Sequence, residues 1–368
     1  MDSENVVYLC ALSKVFAYKP AIGRKLMEAL GGPAAVFQTP RKELAGILRH
    51  AGEIVDQIFD PALLPWARAE AEWARSYGIR LLGPDDPCYP RRLADCDDAP
   101  LLLYYKGNAD LNAPRALAVV GTRKASWTGR DSCRRIVERL AELEVKPMIV
   151  SGLALGIDGV AHLSALDCGL ETVGVLPCGL DEIYPRQHRE LARRILGQGA
   201  LVTDFARGTS PIAYTFLRRN RIIAGMADAT LLAESYLKGG GLITASLASS
   251  YNREVFALPG RMSDASFAGC NNLISRQEAT LVGDVDTIPL ALGWDVLRRG
   301  PARRELLLPD DPPVKREALK ILESRSPVTS DELAVLMRID VSEASVLLLE
   351  LEMDGRVVAD GAKFFLSL

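Results

Sequence analysis

The stretch ALAVVGTRKAS (116–126) decides the fold that we predict for this chain. A short apolar run ends at a glycine, and a hydroxyl, two cations and the start of a helix follow it. Helical segments alternate with such runs, and continuous apolar strands between helices are typical of a parallel sheet covered on both faces. We therefore predict an α/β parallel-sheet domain over residues 81–285. Five further apolar runs end in glycine or near a small polar residue: PMIVSG (147–152), TVGVLPCG (172–179), ALVTDF (200–205), ATLLAES (229–235) and EVFALPG (254–260).

Two smaller domains are predicted on either side of the sheet. Residues 1–80 have apolar positions at helical spacing and predict a small helical domain, similar to SAM or helix-hairpin-helix modules. Residues 286–313 are predicted to be a linker, and residues 314–368 have the pattern of a winged helix, three amphipathic helices and a hairpin. The third helix, within 341–355, has several acids and no Lys or Arg. This composition favours a structural or partner-binding role over DNA reading.

Composition excludes several classes of protein. The chain has 368 residues and a net charge of −3, so a polyanion would have to bind at a local patch. No apolar run approaches the roughly 20 residues of a membrane span, and no signal peptide is recognised, so we expect a cytoplasmic protein. The seven cysteines are scattered without a C-x-x-C pair, which predicts buried free thiols and no metal site.

Glycine loops with cations or hydroxyls follow several of the predicted strands. They are expected at one edge of the sheet, where the strands of α/β proteins end and ligands bind. None of them is a G-x-G-x-x-G loop, which disfavours a dinucleotide cofactor. Several such loops together predict an extended anionic ligand. The residues concerned are Gly121, Thr122 and Arg123, then Arg186, then Arg219 and Arg221, and finally Lys238 before three glycines.

The arginines of FLRRNRIIAGMADATLLAES (216–235) stand just before a buried strand. We expect a helix to begin near Arg218 and to hold Arg219 and Arg221 at the ligand edge. Their removal should then weaken binding and leave the melting temperature almost unchanged. The pattern of a solvated helix end remains the alternative for these arginines. Asp158 and His162, four residues apart, are either an acid–base pair or, more commonly in such an arrangement, a helix-start carboxylate bonded to its neighbour.

The order of these motifs resembles that of the DNA processing protein A family, DprA, also called Smf. The resemblance runs from Tyr89 to Val282 and includes VVGTRKAS (119–126), SGLALGIDGVAH (151–162), LPCGLDEIYPRQHREL (176–191), KGGGLITASLA (238–248) and GCNNLI (269–274). It implies an extended Rossmann-like domain that binds and protects single-stranded DNA. It also implies a homodimer that is not an enzyme, needs no cofactor, and helps to load the RecA recombinase in natural transformation.

The resemblance implies DNA contacts at specific positions of this chain. They are Gly121, Thr122, Arg123, Arg186, Arg219, Asn220, Arg221 and Lys238. Some positions depart from the family pattern: Leu217 stands where a proline is usual, and Leu155 where many members have a cation. YKPAIG (18–23) lacks the glycine that usually opens the N-terminal hairpin turn.

A nucleotide phosphoribohydrolase on a related Rossmann-like fold is the alternative function. Such enzymes have a glutamate in a glycine loop of comparable position, where it attends the glycosidic bond. Leu247 stands at that position here, and an apolar side chain transfers no proton.

Overall fold

The structure is a computed structural model that describes residues 3–49, 51–294, 311–325, 327–354, 356–360 and 362–366. It divides into two compact units, Met1–Asp295 and Val296–Leu368. Within the described ranges, no helix has the length and apolar character to cross a membrane. The same ranges contain no group of three or more side chains that could hold a metal ion.

The first unit begins with six helices, which matches the helical pattern predicted for residues 1–80. They pack around an apolar core of their own that includes Leu12, Phe16 and Leu44, each almost fully buried. The core also includes Tyr104 from the sheet, so these helices lie directly against it. The helices are α1 (Ser3–Val15), α2 (Pro20–Leu30), α3 (Pro33–Gln38), α4 (Arg41–Ile47), α5 (Gly52–Ile58) and α6 (Leu63–Ser76).

A nine-stranded sheet is the centre of the first unit, and the six predicted apolar runs all form strands in it. The order across the sheet is β1-β2-β6-β5-β4-β3-β7-β8-β9. From β6 to β9 neighbouring strands are parallel, whereas β1 and β2 add antiparallel pairs at one edge. The strands are β1 (Arg80–Leu82), β2 (Leu103–Gly107), β3 (Ala116–Gly121), β4 (Met148–Ser151), β5 (Thr172–Val175), β6 (Gly199–Thr203), β7 (Ala229–Glu234), β8 (Glu254–Ala257) and β9 (Thr280–Leu281).

Helices follow the strands as the alternating pattern predicts. The strand order reverses at β3, which pairs with β4 on one side and β7 on the other. Such a switch point leaves a crevice at the carboxyl ends of the strands, where open α/β sheets bind ligands. The fold is therefore α/β and Rossmann-like, as predicted. The helices are α7 (Arg91–Ala94), α8 (Trp127–Ala141), α9 (Ile157–Asp167), α10 (Arg189–Gln198), α11 (Ala213–Gly225), α12 (Gly240–Ser250), α13 (Ala268–Ser275) and α14 (Thr287–Ala291).

The helix α11 begins earlier than the sequence indicates. Thr215 explains the difference, because its hydroxyl accepts a hydrogen bond from the N–H of Ile212 at 3.1 Å and donates to the Ile212 carbonyl. This capping arrangement starts the helix at Ala213. The expectation of a start near Arg218 is therefore wrong, and the three arginines lie in the body of the helix.

The second unit has the helices and the hairpin of a winged helix. A core of its own includes Leu322, Leu333 and Leu348. A second sheet has the order β10-β12-β11, in which β11 and β12 form the predicted hairpin. The elements are α15 (Pro313–Arg325), β10 (Val328–Thr329), α16 (Ser330–Met337), α17 (Val341–Met353), β11 (Val357–Asp360) and β12 (Lys363–Leu366).

Two details differ from the sequence-based expectations. The helix α14 and Trp294 lie inside the range predicted as a linker, yet Ile288 and Trp294 pack into the core of the sheet. Residues 295–310 of that linker lie outside the described residues, and the domain boundaries stay predictions.

All seven cysteines are free, but Cys88, in a loop, is exposed and Cys168 is only partly buried, so the expectation of uniformly buried thiols is wrong.

Candidate nucleic-acid interface

The loops after β3, β4 and β7 are joined to one another at the switch point. The N–H of Thr122 donates to the Glu234 carbonyl at 2.8 Å, and the N–H of Ile157 donates to the Thr122 carbonyl at 3.2 Å. Gly156 has a φ of +80°, and a Cβ there would overlap the Thr122 carbonyl. Only glycine suits both the backbone angle and the space. The backbone of these loops is therefore tightly packed at the carboxyl edge of the sheet.

The predicted residues Gly121 and Thr122 lie beside the start of α12. A Cβ on Gly121 would collide with the side chain of Ile157 and with the Glu234 carbonyl. The position of a Cβ at Gly241, in the first turn of α12, is 3.5 Å from the Gly121 Cα. The N-terminus of α12 follows Lys238, which is exposed. The first N–H groups of a helix have no partner within the helix, so this arrangement places anion-binding groups next to Gly121.

Three of the predicted cations, Arg123, Arg186 and Lys238, are exposed. Their side chains make no hydrogen bond or ion pair within the part of the chain that the structure describes. The guanidinium carbon of Arg123 lies 4.7 Å from the centroid of the Phe216 ring. Phe216 in turn contacts Tyr184 edge-on, at 5.5 Å between centroids, and Arg186 follows Tyr184 closely in the chain. A cation and two partly buried aromatic rings therefore adjoin the glycine loops.

A buried carboxylate fixes the helix that follows the Arg123 loop. Glu234, at the end of β7, is fully buried and accepts hydrogen bonds from the N–H and the hydroxyl of Ser126, at 2.9 and 3.1 Å. Ser126 caps α8 by accepting from the N–H of Gly129. Glu234 thus connects β7 to the start of α8. The cap orients the loop that carries Arg123.

Arg219 lies inside the protein rather than at its surface. Only 4% of the residue is exposed, and its Nη1 donates to the Val175 carbonyl at the end of β5, at 2.6 Å. A Cβ on Gly152 would overlap its guanidinium. Burial lowers the pKa of Arg219 to about 10, while the neighbouring Asp158 opposes this shift. The side chain remains charged at neutral pH and fills the space beneath the strand ends.

Asn220 and Arg221 are also buried. The Nη2 of Arg221 donates to the Asp204 Oδ2 at 2.6 Å, and Arg218 donates to the same oxygen at 2.8 Å. Asp204 directly follows β6. Side chains held in this way reach an external phosphate only if these bonds break. Arg219 and Arg221 therefore lie neither at a solvated helix end nor at a surface where they could contact a phosphate directly.

Asp158 and His162 do not form an acid–base pair. The Oδ2 of Asp158 accepts from the N–H groups of Gly152 and Ala154, at 3.2 and 3.3 Å, at the start of α9. His162 is fully buried, and its Nδ1 lies 2.7 Å from the Thr172 hydroxyl. Burial lowers the pKa of His162 to about 3. Both side chains have structural roles, and Asp158 bonds to backbone N–H groups near the start of the helix and not to His162.

Sequence reasoning missed three groups at this edge. Asp204, Phe216 and Glu234 shape it, yet none of them was predicted as a site residue. Asp204 and Glu234 stand at strand ends, and a carboxylate at that position is a signal that could have been read. Phe216 stands among the quoted arginines, but its contact with Arg123 depends on the packing of α11 against the loop after β3.

Several known proteins that are similar to this chain in sequence or structure are called DprA or Smf. A family model for DNA recombination-mediator protein A matches residues 80–292, and a model for the DprA winged helix domain matches residues 302–362. Protein Smf of Escherichia coli is 38% identical over 294 residues, which cover 78% of this chain and 77% of that protein. DNA processing protein DprA of Streptococcus pneumoniae is 38% identical over 203 residues, 55% of this chain and 71% of that protein.

Two solved structures resemble the fold. That of DprA from Streptococcus pneumoniae has a TM-score of 0.57 and 34% identity, and the match covers 68% of this chain and 90% of that one. That of DNA processing protein A from Helicobacter pylori, reported for its single-stranded DNA binding mode, has a TM-score of 0.53 and 28% identity. Its match covers 58% of this chain and 95% of that one.

Proposed function

We propose that this chain, which belongs to the DNA recombination-mediator protein A family (DprA, also called Smf), binds single-stranded DNA along the carboxyl edge of its sheet. The observation that carries the proposal is the contact of Arg123 with the Phe216 ring, 4.7 Å from its centroid, beside the N-terminus of α12. A single strand offers phosphates to the cation and the helix, and it offers unstacked bases to the ring. A duplex offers only the phosphates, because its bases are stacked on one another.

The proposed contacts divide into two groups by burial. Gly121, Thr122, Arg123, Arg186 and Lys238 lie at the accessible edge, and we assign to them the direct contacts with the strand. Arg219, Asn220 and Arg221 are buried in α11, so we assign to them a positioning role. They hold α11, and with it Phe216, against the strand ends. Rigid contact groups lose less entropy on binding than mobile ones.

The membership of the family and the proposed ligand support a role as a recombination mediator. We infer that the chain protects incoming single strands in natural transformation, acts as a homodimer, and loads the RecA recombinase in the cytoplasm. Light scattering at micromolar concentration tests the dimer. The rate at which RecA covers a strand already coated by single-strand binding protein tests the loading, since a mediator increases it.

We also propose that the chain has no nucleotide hydrolase activity. Leu247, at the position of the expected glutamate, is partly buried in α12. The carboxylate of Glu234 is fully buried and engaged with Ser126, so it does not reach a substrate in the crevice. Nucleoside monophosphates incubated with the protein should stay intact by chromatography. Protein-dependent release of free base would contradict this proposal and favour the hydrolase.

A salt-dependent titration tests the DNA proposal. Binding of labelled oligo(dT) and of a duplex of equal length is followed by fluorescence anisotropy over a range of salt concentrations. We expect tighter binding of the single strand and a slope of log K against log salt of about −0.7 for each phosphate contacted. Equal affinity for both forms, or no salt dependence, would contradict the proposal.

A further inference from the structure

Two exposed tyrosines from distant parts of the chain lie in ring contact at the surface. Tyr18 belongs to the loop between α1 and α2, and Tyr214 to the first turn of α11. Their ring centroids are 5.5 Å apart, and the ring planes are inclined at 46°. Tyr18 is 72% exposed and Tyr214 is 46% exposed. These two residues, called the tyrosine pair below, leave most of Tyr18 and almost half of Tyr214 in water.

A positive charge lies against the tyrosine pair. The guanidinium carbon of Arg218 is 5.7 Å from the centroid of Tyr18, one helical turn after Tyr214. Arg218 and Arg221 both pair with the carboxylate of Asp204. Lys19, the neighbour of Tyr18, is also exposed. The surroundings of the pair therefore favour an anionic ligand that has flat apolar groups.

Tyr18 also borders a cavity of about 610 Å³ among the N-terminal helices. Tyr18 and Lys19 line this cavity together with Glu53 and Asp60. Lys14 lines the cavity as well, so its two acids are matched by two lysines. Tyr18 itself is largely exposed and is therefore open to an anionic chain.

The tyrosine pair and the proposed DNA edge share one helix. Phe216, which contacts Arg123, and Tyr214, which contacts Tyr18, are close neighbours in the first turn of α11. Residues two apart on a helix point to different sides, so a strand that follows the sheet edge to Phe216 would reach the tyrosine pair by crossing the first turn of α11. The pair is contributed in part by the N-terminal helices.

We propose that Tyr18 and Tyr214 form a stacking subsite for a nucleobase of a single DNA strand, and thereby extend the path of the strand onto the N-terminal helices. This rests on the proposed function of the sheet edge. Stacking on an aromatic ring tolerates any base, because every base has a π face. The subsite would add affinity without sequence preference, and only to strands long enough to reach it.

A purely structural contact between the N-terminal helices and α11 is the competing explanation. In that case the loss of the Tyr18 ring lowers the stability of the fold and leaves the affinity for DNA unchanged. Tyr77 offers a matched control. It is 61% exposed and also contacts an aromatic ring, that of Trp73, at 5.6 Å. It precedes β1, which runs in the same direction as β6, so it lies on the side of the sheet opposite to the carboxyl edge.

The test compares the full-length wild-type protein with Tyr18→Ala, Tyr18→Phe, Tyr214→Ala and Tyr77→Ala. Each protein is titrated with oligo(dT) and with a fully abasic strand of equal length, which keeps the phosphates and lacks the bases. We expect Tyr18→Ala to weaken binding of oligo(dT) by about five- to a hundredfold, the effect of one lost stacking contact. Tyr214→Ala should weaken it in the same direction, Tyr18→Phe should retain the affinity, and Tyr77→Ala should match the wild type.

The abasic strand separates stacking from other effects. Binding of this strand should be the same for Tyr18→Ala and the wild type, because it has no base to stack. Equal affinity of both proteins for oligo(dT), or an equal loss on both strands, overturns the subsite alone. A wild-type protein that does not bind oligo(dT) overturns the proposed function as well. If Tyr18→Ala does not fold, Tyr18→Trp takes its place, and DNA should then quench the added indole fluorescence.

Discussion

Arg221 donates to the carboxylate of Asp204 at 2.6 Å, and only 8% and 1% of the two side chains are exposed. Arg218 pairs with the same oxygen from the preceding turn. The two ion pairs fasten α11 to the end of β6. The arginines that precede β7 therefore lie largely in the interior of the domain. Their main role is to hold α11 in position.

Removal of Arg221 should destabilise the protein. Breaking a buried ion pair costs about 3–5 kcal/mol, because it leaves a buried charge without compensation. We expect Arg221→Ala to lower the free energy of unfolding by about 3 kcal/mol, near the low end of this range, since Arg218 still neutralises Asp204. Denaturant unfolding measures the change. This expectation replaces the almost unchanged melting temperature that the sequence suggested.

Arg186→Ala is the matched control for the stability measurement. Arg186 is exposed, and its replacement should change the free energy of unfolding by no more than about 0.5 kcal/mol. A double variant, Arg221→Ala with Asp204→Ala, leaves Arg218 unpaired, so it should not regain full stability. Equal stability of Arg221→Ala and Arg186→Ala would show that the pair with Asp204 contributes nothing.

The strands and the glycine loops could be predicted from the sequence because they depend on local pattern. Each apolar run was long enough to be a strand, and a glycine or a small polar residue followed most of them. The burial of Arg219 and Arg221 could not be predicted in this way, since a run of arginines has the same pattern in water and in a core. Their partners are distant in sequence, since Val175 ends β5 and Asp204 directly follows β6. The contact of Tyr18 with Tyr214 likewise depends on how the N-terminal helices pack.

Among the exposed cations, Arg123 should contribute most to the affinity for single-stranded DNA. Arg123→Ala removes the proposed phosphate contact and the cation above the Phe216 ring. We expect about tenfold weaker binding of oligo(dT), and a salt slope that becomes shallower by about 0.7. The melting temperature should barely change, because the side chain is exposed and has no ion pair among the described residues. Anisotropy titrations over a range of salt concentrations measure both quantities.

Arg193→Ala serves as the control for this charge change. Arg193 is 75% exposed and pairs with Glu190 on α10. Its replacement removes the same charge and should leave the affinity and the slope close to those of the wild type. If Arg193→Ala and Arg123→Ala weaken binding equally, the effect comes from net charge and not from a contact at the sheet edge.

Removal of the winged unit should have little effect on DNA affinity. The helix α17 has no Lys or Arg, and Glu343, Glu350 and Glu352 make it acidic. We expect a chain that ends at residue 295 to bind oligo(dT) within tenfold of the full-length protein. The first unit has its own core, so a thermal melt should show that it remains folded. A larger loss of affinity in a folded truncated chain would assign DNA contacts to the winged unit.

The last prediction concerns stability in acid and depends on His162. Its pKa is about 3 in the folded chain, against an ordinary value of 6.5, first because it is buried and then because of the electrostatic effects of His188 and Arg219. Between these two values the unfolded chain binds a proton that the folded chain does not. Stability contributed by the neutral ring is therefore present above about pH 6.5 and is lost as the pH falls towards 3.

We expect this loss to disappear when His162 is replaced. The difference in unfolding free energy between the wild type and His162→Gln should fall by about 1.4 kcal/mol for each unit of pH between 6 and 4. Asp158, whose pKa is raised chiefly by burial, has the opposite pH dependence, but it is present in both proteins and cancels in the difference. Denaturant unfolding at several pH values gives the two curves. Parallel curves would mean that His162 binds a proton equally in the folded and unfolded chains, and its burial against Thr172 would then not exclude the charged form.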